Sequence, residues 1–214
     1  MTQKKISISD TISFGWDEFK KNYTLWIGLS IITMFLGAFS DTQSIAEYAG
    51  INITIPSLSS FIIGLLTAYV SLAVYKISIE QIKGNQVNFN DLTNISLNQY
   101  INYLIGATIT GILAIIGFIL FIVPGIYIAI RLMFLPYLIV DKNLKFNEAL
   151  KESWRITEDS VWNLFSFGMA AIFIAIAGFL VVFVGLLAAL PVLWLATAKI
   201  YLLFTENEEE LLTE

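Results

Sequence analysis

The sequence predicts an all-α polytopic membrane protein, with six transmembrane helices arranged as three hairpins and a short amphipathic interfacial helix before each. Three observations carry that expectation. The 214-residue chain is 57% hydrophobic and only 14% charged, against about 25% charged in ordinary soluble domains, and its mean hydropathy is +0.76. Its apolar residues gather into runs long enough to cross a bilayer. Its 12 Lys and Arg residues avoid every second connection between those runs.

A hydrocarbon core of about 30 Å needs roughly 20 apolar helical residues. Six runs qualify: 23–40, 57–78, 101–122, 125–140, 162–184 and 186–204. The first and fourth are short and call for flanking residues or tilt. "VPG" at 123–125 is a turn signal between the third and fourth. The fifth and sixth form one apolar stretch, divided near Gly185 with Pro191 just beyond. The connections 41–56, 123–125 and 185–191 hold no Lys or Arg. The bias of basic residues toward the cytoplasm then puts both termini there, and an even number of spans requires the same. Lys4-Lys5 with the apolar run from Leu25 loosely resembles a secretion signal. The polar lead holds three acids (Asp10, Asp17 and Glu18), so the run reads as a retained span.

The stretches preceding the hairpins repeat. "ISDTISFGWDEFKKNYTLW" at 8–26 aligns with "FNEALKESWRITEDSVWNL" at 146–164. Asp10 then meets Glu148, Gly15 meets Ser153 and Trp16 meets Trp154. A weaker third copy is "FNDLTNISLNQY" at 89–100. Each copy opens with an apolar residue, then Ser9, Asn90 or Asn147 as expected N-cap, then an acid in the first turn, where free amides and the helix dipole favour it. Ile12, Trp16, Phe19, Tyr23 and Trp26 fall on one face at helical spacing, as do Leu150, Trp154, Val161 and Leu164. These stripes predict helices lying in the cytoplasmic interface, with Trp16 and Trp154 as anchors at headgroup depth. A motif used three times with variable acids reads as a structural joint and not as an active site. The chain divides into one membrane domain, 1–205, with repeat units of about 6–79, 87–141 and 144–205. The acidic end, 206–214, reads as a disordered cytoplasmic tail.

Composition restricts the chemistry. With no Cys and no His, the commonest nucleophile–base pairs, thiolate metal sites and imidazole ligands are absent. No cofactor and no metal site is expected, and no phosphate-binding "GxxxxGK" loop is present. A net charge of −5 disfavours nucleic acid as a partner. Lipids are the expected partners, with a protein partner or a second copy of the chain as further possibilities.

"FIVPGIYIAIRLMFLPYLIVDKNLKFNEALKESW" at 121–154 resembles the membrane domain associated with bacterial glycerophosphodiester phosphodiesterases and its small prokaryotic integral membrane relatives. "GNQVNFNDL" at 84–92 and "SISDTISFGWDEFKKN" at 7–22 support the resemblance. It implies a six-helix domain in a prokaryotic cytoplasmic (inner) membrane. Enzymatic members carry a separate soluble catalytic domain, which these residues do not contain, so the resemblance implies no catalytic activity here.

Arg131 stands out. It lies about six residues into the fourth span, and none of the 17 Asp and Glu residues falls in the middle of a span. A charge at such depth is a candidate site. It is expected to hold an anionic group, most simply an outer-leaflet lipid phosphate; the alternative is snorkelling or capping of helix carbonyls. Lys199 is expected to snorkel to the cytoplasmic side. Lys76 and Glu80, spaced i, i+4 at the exit of the second span, form a weak candidate pair, and Pro136 is expected to kink its helix. The favoured reading is a non-enzymatic membrane protein that binds lipid or a partner in envelope homeostasis. The competing reading is a small transporter or channel for a polar or anionic solute, using Arg131, Thr67, Thr108, Thr110 and Asn163. A lipid-modifying enzyme would have only interfacial acids such as Asp91, Asp141 and Glu148.

Overall fold

The computed structural model describes residues 7–38, 42–48, 51–56, 58–120, 122–181 and 184–213. Their helices are α1 (Ile8–Lys21), α2 (Tyr23–Ala38), α3 (Leu58–Ile82), α4 (Leu97–Leu120), α5 (Ile122–Arg131), α6 (Leu135–Asp141), α7 (Phe146–Ile156), α8 (Val161–Leu180) and α9 (Val184–Thr213), with 3₁₀ turns at Phe89–Thr93 and Glu158–Ser160. Between α2 and α3 the helical body carries one addition, an antiparallel hairpin of β1 (Thr42–Tyr48) and β2 (Ile51–Pro56). The β-branched alternation of "INITI" suits an extended strand.

Five segments are long and apolar enough to cross a membrane: Leu58–Ile82, Leu97–Gly117, Val123–Asp141, Glu158–Leu180 and Gly185–Thr205. The first expected span, α2, has 16 residues, or about 24 Å of helix. Half of the most apolar window in Val123–Asp141 and in Gly185–Thr205 is buried, against 11–22% in the other three. The α5–α6 segment and α9 are therefore central, while α3, α4 and α8 present their apolar faces outward. α9 is the hub, touching α1, α2, α3 and α8. One core cluster gathers Phe134, Tyr137, Tyr201 and Phe204, and a second gathers Trp26, Leu29, Val192 and Leu195.

Two boundaries differ from expectation. "VPG" begins a helix instead of making a turn. Pro124 sits in the first turn of α5, where a missing N–H removes no helical bond. The acidic end continues α9 to Thr213 and is not a disordered tail; its Glu and Leu residues are good helix formers.

The repeat is real but its caps lie two residues upstream. Ser7 caps α1 and accepts from the Asp10 amide at 3.4 Å. Asn88 caps the 3₁₀ turn, with the Asp91 carboxylate accepting from the Asn88 amide at 2.8 Å. Lys145 precedes α7, and the Glu148 carboxylate accepts from its amide at 3.1 Å. The acid thus occupies the third helical position in all three copies, and in the second and third its carboxylate ties back the chain entering the helix. The middle copy is only a 3₁₀ turn and not an amphipathic helix.

The apolar stripe of the first copy is divided between two helices. The chain breaks at Asn22, whose side chain donates to the Val87 carbonyl at 3.0 Å. Tyr23 and Trp26 therefore belong to α2. α1 buries Thr11, Gly15, Glu18 and Phe19. α7 and its cap bury Ala149, Ser153, Ile156 and Thr157, the same four positions of the repeat. Small residues face inward, while Trp16 and Trp154 flank the contact at 46% and 37% exposure. Close approach is the reason. A Cβ on Gly15 would stand 2.5 Å from the Val192 carbonyl oxygen on α9.

α9 holds a second consequence of Pro191, which lacks an N–H to bond the Leu187 carbonyl. The Ser30 hydroxyl of α2 donates to that carbonyl at 3.2 Å. At the opposite end, Asp141 of α6 pairs with Lys83 beyond α3 and accepts from the Tyr201 hydroxyl of α9 at 2.8 Å.

Gly15→Ala is expected to lower stability by about 1–3 kcal/mol through the clash with α9 backbone. Gly64→Ala, with nothing within 4 Å of its added Cβ, is expected to leave stability unchanged or slightly raised. Thermal unfolding of the two purified variants in detergent measures the contrast.

Candidate functional site

Arg131 closes α5, and residues 132–134 form a turn before α6. Pro136, in the first turn of α6, explains why the helix is interrupted. The Leu135 amide bonds the Leu132 carbonyl at 3.2 Å instead of the Arg131 carbonyl one turn back. That freed carbonyl is taken up by α7: Ser153 Oγ donates to it at 2.8 Å and Thr157 Oγ1 approaches at 3.4 Å. The repeat helix therefore caps a broken helix.

The Arg131 side chain is 2% exposed. Its guanidinium carbon lies 4.6 Å from the Trp154 ring centroid and 5.7 Å from that of Tyr127, and the two rings meet edge to face at 5.9 Å. Nε and Nη1 are enclosed without a hydrogen-bond partner among the described residues. Magnitudes decide what this means. A desolvated cation–π contact is worth about 2 kcal/mol, whereas burying a charge costs several kcal/mol. The two rings do not offset the burial.

The expected position of Arg131 is thereby corrected. The helix starts at Ile122, so Arg131 is its tenth residue and not the sixth below a turn. Its side chain is enclosed and packs on Trp154, so Trp154 acts as its cover in addition to flanking α7.

Beside this pair runs a groove of about 590 Å³ between α5 and the start of α8, walled by Val123, Ile126, Tyr127, Trp162 and Phe165 and ending at Glu158 and Asp159. Tyr127 is 42% and Trp162 is 78% exposed, so the groove opens on the outer surface of the bundle. Sequence periodicity missed it because its walls come from two helices distant in the chain. The signal available was Trp162 next to two acids at the entry of an apolar span.

The remaining candidates do not converge on Arg131. Lys199 lies 5.0 Å over the Phe14 ring of α1, so it is stacked on the first repeat helix. Lys76 donates to the Asn94 carbonyl and Glu80 accepts from Asn85; each has another partner in place of the expected pair. Trp16 packs against Phe19, the ring centroids 5.5 Å apart and the planes tilted by 32°. Thr67 back-bonds to the Ile63 carbonyl at 2.8 Å. Asp91 and Glu148 are helix-start acids, and Asp141 joins α3, α6 and α9. Glu152 pairs with Arg155 at 2.8 Å, and hydrogen bonds from Arg155 are the main cause holding its carboxyl below the usual range. A buried polar cluster that the sequence reading missed joins Glu18, Lys21, Trp26 and Gln81: Trp26 Nε1 donates to Gln81 at 2.8 Å and Gln81 donates to the Glu18 carbonyl at 2.7 Å. Among the described residues, no group of three or more Asp and Glu is placed to hold a metal ion.

The family model described as the membrane domain of glycerophosphoryl diester phosphodiesterase matches residues 92–205. That stretch runs from the 3₁₀ turn of the middle repeat through α4–α8 to the end of the α9 core. It includes Arg131, Ser153, Trp154 and the whole groove. No curated protein and no solved structure matches the chain.

Ser153→Ala combined with Thr157→Val strips both hydroxyls from the Arg131 carbonyl. The expected loss is about 1–3 kcal/mol, the cost of a buried acceptor left unpaired, read as a lowered midpoint in detergent unfolding. Retention of wild-type stability would mean that the α5–α6 break does not rely on α7.

Proposed function

Because the chain belongs to the family of membrane domains of glycerophosphoryl diester phosphodiesterase, we propose that it is a six-span, non-enzymatic lipid-binding protein of a prokaryotic cytoplasmic membrane, with both termini cytoplasmic. The observation that carries the lipid reading is the groove between α5 and α8. It is apolar and aromatic along its length, it opens where a span would face acyl chains, and its volume accepts a chain-sized occupant. Trp162 at the mouth suits the boundary between chains and headgroups. The acids open to catalysis by composition, Asp91, Asp141 and Glu148, are spent on helix starts and on a tie between helices, which supports a binding role. The placement of Lys and Arg supports the orientation, and α2 completes the span count if its flanking residues share the interface. A role in envelope homeostasis follows as the setting for such binding.

Two measurements test this. Native mass spectrometry of the detergent-purified protein is expected to show retained phospholipid, and Trp162→Ala is expected to reduce its retention about tenfold, a loss of roughly 1.4 kcal/mol. A wild-type spectrum free of lipid would remove the lipid reading. For orientation, the cysteine-free sequence allows single-Cys variants without background removal. Cys at Ser44 is expected to label from outside intact cells, and Cys at Gln86 or Asn147 only after permeabilisation. External labelling at Gln86 would overturn the topology.

A further inference from the structure

We propose that the enclosed guanidinium of Arg131 binds a phosphate oxyanion, with the Thr110 hydroxyl as a second ligand and the Trp154 ring as the cover. The site does not depend on the groove between α5 and α8. Its basis is a pair of buried polar groups left without partners at one level of the α4–α5 hairpin. Among the described residues, Nε and Nη1 of Arg131 are enclosed with no acceptor, and the Thr110 hydroxyl is enclosed with no partner of either kind. No carboxylate among the described residues forms an ion pair with Arg131. The register of the hairpin brings the two groups to the same height. A Cβ on Gly106 would meet Leu135 at 2.7 Å, and one on Gly117 would meet the Gly125 backbone at 2.8 Å, so α4 runs antiparallel to α5 and α6. Thr110 stands four residues after Gly106, and Arg131 four residues before Leu135. With 3.6 residues per turn, Thr110 also shares the α4 face of Gly106 and Gly117, the face turned toward α5.

The unmet capacity defines the ligand. Two aromatic rings attend the guanidinium, Trp154 at 4.6 Å and Tyr127 at 5.7 Å. A ring attracts the charge but supplies no lone pair to the N–H groups. A neutral acceptor would fill the hydrogen bonds and leave the buried charge uncompensated. An oxyanion does both, through short charge-assisted bonds. A carboxylate spends its two oxygens on the planar fork of the guanidinium. A tetrahedral phosphate matches the same fork and keeps further oxygens for a donor outside that plane, and Thr110 carries such a donor. The cover is light. Trp154 lies over the guanidinium and is itself 37% exposed, so displacement of one ring opens the charge to the surface. Phosphate chemistry is common to a lipid head and to a soluble phosphate, which would reach that ring from the bilayer and from water respectively.

The test uses the full-length protein in a maltoside detergent, titrated with inorganic phosphate, with dihexanoyl phosphatidic acid, or with chloride at matched ionic strength. Tryptophan fluorescence and the thermal unfolding midpoint are followed. A phosphate compound is expected to change the fluorescence saturably and to raise the midpoint, while chloride does neither. Trp154→Phe is expected to remove most of the fluorescence change and keep the rise in midpoint, because Trp154 reports on the site without bonding the anion. Arg131→Lys is expected to weaken binding about tenfold, since an ammonium loses the two-point contact. Thr110→Val is expected to weaken it about threefold, the loss of one hydrogen bond. Arg131→Gln is expected to abolish binding; where that variant fails to fold, the Lys and Val variants carry the test. A response to phosphatidic acid alone assigns the site to a lipid head, and a response to inorganic phosphate assigns it to a soluble anion. No saturable response to either compound overturns the site and leaves the lipid reading of the groove standing. Binding unchanged by Arg131→Lys overturns it as well, and binding unchanged by Thr110→Val overturns the part given to the hydroxyl.

Discussion

The carbonyl of Arg131 is the point on which the rest of the arrangement turns. A helix interrupted in an apolar environment leaves a backbone acceptor with no water to satisfy it, at a cost of several kcal/mol. Here the Ser153 hydroxyl supplies the missing donor at 2.8 Å, with Thr157 Oγ1 beside it at 3.4 Å while its own shortest bond runs to the Ser153 carbonyl at 2.7 Å. To deliver it, α7 must lie against the α5–α6 break. Once it does, Trp154 is over the guanidinium, Glu158 and Asp159 are at the end of α5, and α8 begins beside Tyr127. One unpaired acceptor thus dictates the path of the chain from α5 to α8, and with it the walls of the groove.

The two cations that fall inside apolar runs share a solution. Arg131 is stacked on Trp154 of the third repeat, and Lys199 on Phe14 of the first. In both cases an aromatic ring from a repeat helix covers a positive charge on a central helix. The repeats also bury the same four positions, with Gly15 and Ser153 at the closest approach. At the equivalent place, one copy uses the absence of a side chain to approach a carbonyl and the other uses a hydroxyl to bond one. The joint is a single architectural device with two chemistries, chosen by whether the facing helix is continuous or broken.

Much of the frame was legible in the sequence because apolar runs, first-turn acids and the spacing of Trp16 and Trp154 are local signals. The family resemblance rested on residues 121–154, which lie inside the matched stretch. Pro136 announced the interruption of its helix. What was not legible follows from long-range packing. The aromatic stripe of α1 and α7 was read as their interfacial face; the residues they bury against neighbouring helices, Gly15 and Ser153 among them, are set by close approach, which periodicity does not carry. "VPG" was expected to be a turn, since a Pro-Gly pair signals one; in the first turn of a helix the same Pro costs nothing. Arg131 was recognised as a site candidate, but its depth, its cover and its neighbours depended on where α7 lies, and no periodicity within α5 carries that information.

The position of α9 has a consequence for biosynthesis. α9 follows α1–α8 in the chain, yet it supplies the Val192 carbonyl against which Gly15 packs, and it contacts α1, α2 and α3 as well as its own hairpin partner. Its Leu187 carbonyl and the Ser30 hydroxyl of α2 satisfy each other. Until α9 is in place, α1 and α2 lack a packing surface, and Ser30 and the Leu187 carbonyl each lack a mate. A chain truncated before α9 would present quality-control proteases with an unfinished α1–α3, so the arrival of α9 is what makes the earlier helices durable.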